Sequence, residues 1–177
     1  MHIVAGLVAL VGVVALWYWR MKMARDAGGE ILDAANDVRL AARRLMYRRK
    51  HNTHPADSVD DPRLAASGIV VAIATMDAPI SQAEIAALTK SAQETFDVSE
   101  REALDMVSFG RWVSDQCGTN DEAVRRLSKV VAKLAGPEAA PDLLRMIADV
   151  ATAGGQELDE SQLDAIEAVR RALGIVR

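Results

Sequence analysis

A chain of 177 residues holds one folded domain and short appendages. Half of it is hydrophobic while only 4 % is aromatic, and this Ala-rich, Pro-poor composition favours helix. The single cysteine, Cys117, excludes an internal disulfide and suits a reducing compartment. The formal net charge of −4 conceals a split. Residues 1–54 hold nine Lys and Arg against four Asp and Glu; residues 55–177 hold twelve against twenty-one. A basic front and an acidic back point to two environments.

Ile3 to Trp19 reads IVAGLVALVGVVALWYW, seventeen residues without a charge. At about 1.5 Å per residue it spans roughly 25 Å, near the lower limit for crossing a bilayer. A secretory signal carries its cations before the apolar run. Here Arg20, Lys22 and Arg25 follow it, and Trp17, Tyr18 and Trp19 form an aromatic collar at the same end. The pattern predicts an uncleaved single-pass anchor over residues 1–25. Positive charge inside places the N-terminus outside and the rest in the cytoplasm, at a bacterial-type inner membrane. Ala5, Ala9 and Gly12 share one face of this helix, where small residues let another helix approach closely.

Gly28 and Gly29 allow a break or a bend. Residues 30–50 then predict a helix whose stripe is Ile31, Ala35, Val38, Ala42 and Leu45. Arg39, Arg43, Arg44, Arg48, Arg49 and Lys50 crowd its second half. Such cations suit anionic lipid headgroups, at about 1 kcal/mol each close to the surface, or a partner protein. A plainly solvated helix is the alternative. Nucleic acid ranks last, because the acidic remainder would repel phosphate. Residues 51–61, HNTHPADSVDD, are polar and aperiodic and read as a linker on which His51 and His54 are solvated.

Six helices are predicted beyond it: 62–76, 81–96, 99–117, 119–135, 141–153 and 159–173. Pro62 suits a first turn, and Ser81/Glu84, Ser99/Glu102 and Thr119/Glu122 have the spacing of capping boxes. Gly118 and the pair Gly136-Pro137 stop helices, Pro141-Asp142 opens one, and Asp159/Gln162 begins the last. Ile85, Leu88 and Ala92 line one face of the second helix; Leu163, Ile166, Val169, Arg170 and Leu173 follow a similar spacing in the last. Short loops favour antiparallel neighbours in a bundle.

Two stretches echo one another, ATMDAPISQAEI at 74–85 and ATAGGQELDESQL at 151–163. Each is a helix end, a tight turn with an aliphatic residue (Ile80, Leu158) and a helix start, so residues 69–96 and 143–174 read as two similar hairpins. The second hairpin, from Asp142 to the closing Leu-Gly-Ile at 173–175, resembles the closing hairpin of TerB-like domains, the tellurite-resistance fold. AIATMDAPISQAEI at 72–85 resembles the matching first one. The likeness covers about 65–175. A short span, a basic segment and a TerB-like domain also resemble the front of membrane-anchored DnaJ-like co-chaperones of the DjlA type, without their J-domain.

With the anchor and connector read above, the resemblance makes an all-α fold in three parts the expectation: a transmembrane anchor (1–25), a basic juxtamembrane helix and linker (26–54) and a TerB-like bundle (55–177). It also implies divalent-metal binding by loop acids. Asp77 and Glu84 match the family's first acidic pair, but Gly154 and Gln162 stand where the second pair belongs. Two carboxylates are few for a hard cation unless Glu157, Asp159 or Glu160 substitutes.

Catalysis finds little support. All three histidines precede the domain, no base can be paired with Cys117, no phosphate-loop or dinucleotide fingerprint occurs, and Trp112 beside Phe109 reads as core. The expected activity is that of a membrane-anchored, non-enzymatic interaction module without cofactor, linked through its resemblance to tellurite or envelope stress. It binds the lipid bilayer and another membrane or membrane-associated protein. Alternatives are an accessory subunit of a larger respiratory or photosynthetic membrane complex, and a metal-sensing domain. Homo-oligomerisation stays open.

Overall fold

The computed structural model describes residues 54–155 and 157–175. The apolar run, its collar, the small-residue face and the basic connector from Arg39 to Lys50 lie outside the described residues. Among those described, no helix is long and apolar enough to cross a membrane.

Among the described residues six α-helices carry the fold: α1 (Pro62–Ala74), α2 (Gln82–Phe96), α3 (Glu100–Asp115), α4 (Asn120–Leu134), α5 (Ala140–Gly154) and α6 (Glu160–Ala172). Each is found where a start signal predicts it. Asp61 caps α1, accepting the Arg63 N–H at 3.0 Å and pairing with the Arg63 guanidinium at 2.9 Å. Ser81, Ser99 and Thr119 each accept the N–H three residues on. Only Ser81/Glu84 closes as a reciprocal box among those three. Glu102 lies 3.6 Å from Arg63, and Glu122 pairs with Arg125 and Arg126. A competing guanidinium outbids the cap amide for a carboxylate, since the ionic hydrogen bond is the stronger one.

Helix α1 is apolar on every side. All residues from Leu64 to Ala74 are buried, so it must sit in the middle. The other five helices surround it. It crosses α3 at a glycine pair, where a Cβ on Gly110 would lie 3.0 Å from Ser67 C, Ser67 O and Gly68 N. Helix α2 buries Leu88 and Ala92 and packs on α5, where the Ser91 hydroxyl donates to Asp149 Oδ2 at 2.7 Å. Helix α6 rests on α4 and α1. The Asn120 side-chain amide donates to Thr75 O at 2.8 Å, tying the start of α4 to the end of α1.

Two expectations are corrected. Residues 54–61 are not a solvated linker. Pro55–Ser58 forms a 3₁₀ turn with Ala56, Ser58 and Val59 buried. His54 Nδ1 accepts the Ala56 N–H at 3.2 Å, and its Nε2 meets Gln116 O at 3.0 Å. Asp57 pairs with Arg126. Three small or branched side chains are enough to hold so short a segment down, and no periodicity announces them. In α6, Leu163 is half-exposed at 50 %, whereas Gln162 is buried with Ala165, Val169 and Leu173. The inward stripe therefore starts one residue earlier than apolarity suggests, because Gln162 finds hydrogen bonds inside.

Ser67 and Ser128 are fully buried hydroxyls without a hydrogen-bond partner. An unpartnered buried hydroxyl costs about 1–3 kcal/mol. Ser128→Ala should therefore leave the urea midpoint unchanged or raise it. A fall of more than about 1 kcal/mol would show that the hydroxyl has a partner after all.

Candidate functional site

The turns of the two hairpins meet. Residues 75–81 join α1 to α2, residues 155–159 join α5 to α6, and between them lies a polar cleft of about 130 Å³. Asp77, Ser81 and Glu84 line one wall; Gly154, Glu157 and Gln162 line the other. Both predicted acids, and both positions where the second pair is replaced, thus share one small space.

Glu84, Asp159 and Gln162 are committed to the protein. Glu84 Oε2 accepts the Ser81 N–H at 2.7 Å. Its Oε1 faces Gly154, where a Cβ would come within 2.9 Å. Asp159 Oδ1 accepts the Gln162 N–H at 2.8 Å, and Gln162 Oε1 accepts the Asp159 N–H at 3.1 Å. The Gln162 N–H and then the Ser161 hydroxyl hold the Asp159 carboxyl below the usual range. Gln162 Nε2 donates to Ile73 O at 3.2 Å and reaches Asp77 Oδ1 at 3.5 Å. Ile80 packs on the core, and Leu158 is half-buried at the cleft.

A hard cation calls for about six oxygens at 2.3–2.6 Å. Here Asp77 faces an N–H, Gly154 offers no side-chain donor and Glu84 is half spent on its cap. Among the described residues, no group of three or more His, Cys, Asp or Glu is placed to hold a metal ion. The donor set does not fit a cation cage.

Nor, among the described residues, do the residues of classical acid–base chemistry gather. His54 is engaged by Ala56 and Gln116. Cys117 is buried beyond the end of α3 and donates to Val113 O at 3.4 Å. Burial pushes its thiol up to about 11, outweighing the nearby Arg126. Against the ordinary value of 9.0, far less of the thiol is ionised at pH 8 in the folded chain than in the unfolded one. Iodoacetamide should therefore alkylate the folded chain markedly more slowly than the urea-unfolded one; equal rates would contradict the burial. The folded value lies above the unfolded one, so this stabilisation is complete below pH 9 and is lost as pH rises toward 11.

A second concavity, apolar and about 240 Å³, lies where the start of α1, the ends of α2 and α4 and the start of α5 converge. Its walls include Ala66, Phe96, Val131, Leu143 and Met146, with Arg63, Thr95 and Asp142 also lining it. Arg145 donates to Thr95 Oγ1 at 3.1 Å and to Asp142 Oδ1 at 3.3 Å. Sequence reasoning missed this groove. Its only trace is small residues, Ala66, Ala135 and Ala139, at positions that larger side chains would have filled.

The family model described as "Tellurite resistance protein TerB" matches residues 63–177. The chain belongs to the TerB family. The match begins one residue inside α1 and takes in both hairpins of the TerB domain, while residues 1–62 lie outside it. No curated protein and no solved structure matches the chain.

Proposed function

We propose that this TerB chain is a membrane-anchored interaction module whose domain works at the cytoplasmic face by binding another protein. The apolar groove carries the reading. Cofactor and small-molecule sites usually enclose about 300–1,000 Å³, and this one encloses about 240 Å³. A cavity of about 150 Å³ lined by apolar side chains accommodates benzene. The groove is thus sized for one aromatic or branched side chain of a partner, the kind of anchor that dominates protein interfaces. The N-terminal apolar run ending in tryptophans and followed by cations supports the tether, and the family's description supports a link to tellurite resistance.

A photoreactive side chain at Thr95, activated in intact membranes, should give discrete protein adducts. Phe96→Asp and Ala135→Phe, which charge or fill the groove, should remove them; an unchanged adduct pattern would defeat the reading. A reporter fused after Arg177 should report from the cytoplasm, and removal of residues 1–19 should release the chain from membranes.

The small-residue face of Ala5, Ala9 and Gly12 favours a second reading, an accessory subunit of a larger inner-membrane complex. Stoichiometric copurification from gently solubilised membranes would support it over a transient partner.

A further inference from the structure

The two turns at the polar cleft are held together by an amide. Gln162 is buried, so its side chain must be satisfied within the protein. It is: the oxygen accepts from Asp159, and the NH₂ spans Ile73 O and Asp77 Oδ1. Both of those targets are oxygens. A carboxylate in the same place would set oxygen against oxygen twice, once against a carbonyl dipole and once against the Asp77 charge, and while both acids stay ionised a cation between them is what would relieve the repulsion. A neutral NH₂ group supplies that positive edge from the protein itself. Gly154 adds no side-chain oxygen, and Glu84 is drawn back to its own helix cap.

We infer that Gln162 does in this chain the work of a bound cation, closing the junction of the two hairpins by its own amide, so that the domain is metal-independent and a single substitution there makes it metal-dependent. The claim rests on the misfit between the donor set and a metal, and it is separate from the partner proposed at the apolar groove.

The test is thermal unfolding of the full chain, in chelator and with about 10 mM CaCl₂ or MnCl₂, roughly ten times the dissociation constant of even weak extracellular-type calcium sites. The wild-type midpoint should be the same in all three. Asp77→Asn keeps an acceptor for the amide and should stay within about 2 °C of wild type under each condition. Gln162→Glu should melt about 5 °C lower in chelator and recover with either cation. The inference is overturned if wild type gains stability from the metals and Asp77→Asn abolishes the gain, if Gln162→Glu in chelator melts with wild type, or if it melts lower and no cation restores it. Should Gln162→Glu fail to fold, the wild-type and Asp77→Asn curves decide by themselves.

Discussion

Gly110→Ala should lower the stability of the domain by about 1–3 kcal/mol, although alanine is the better helix former by about 1 kcal/mol. The reason is the crossing of α1 and α3. The added Cβ would lie 3.0 Å from three backbone atoms of Ser67 and Gly68, where carbon contacts prefer about 3.5–4.0 Å. Backbone cannot rotate aside as a side chain can, so the two helices must part and loosen the packing on both sides of the crossing. Gly68→Ala supplies the comparison. Its Cβ would meet Leu127 Cδ1 at 2.7 Å and Val113 Cγ1 at 3.0 Å, ends of side chains that can shift, so its loss should be the smaller. Urea unfolding followed by circular dichroism gives both values. A Gly110→Ala chain as stable as wild type would mean that the helices do not cross so closely.

Phe109→Ala should cost more, about 3–5 kcal/mol. Phe109 is fully buried, and its ring centroid lies 5.3 Å from that of Trp112 at an interplanar angle of 54°, a tilted aromatic pair. Removing it deletes a large apolar surface and leaves a cavity in the face of α3 that meets the core. Small domains are stable by only about 5–15 kcal/mol, so this one residue carries a large share. The urea midpoint should fall steeply, while Phe109→Leu, which refills most of the volume, should recover more than half of the loss. A fall below about 1 kcal/mol would place Phe109 outside the core.

Local chemistry was legible. Start signals such as Pro62, Ser81/Glu84 and Asp159/Gln162 act within one turn of helix, so four or five consecutive residues contain the whole interaction. Matters that depend on distant residues were not. Glu102 and Glu122 have capping-box spacing, yet arginines took their carboxylates, and one of these, Arg63, comes from another helix. Leu163 is more apolar than Gln162, yet one step along a helix is about 100° of rotation, and the carbonyl of Ile73 decided which of the two turned inward. His54 lies in a polar stretch that reads as linker, and only the distant Gln116 carbonyl shows that it is part of the domain.

The paired hairpins show the same division. The echo of residues 74–85 in 151–163, and the single acidic pair Asp77 and Glu84, are properties of the sequence, and with them came the TerB resemblance and the all-helical fold. That both turns face one cleft, that an amide holds them together, and that an apolar groove opens among four other helix ends were decided by tertiary structure. The physical reason is separation along the chain. Ile73 and Gln162 are 89 residues apart, so their hydrogen bond comes into being only when α1 and α6 pack. Helix formation follows from neighbours in sequence, whereas the groups available to a ligand or partner follow from neighbours in space.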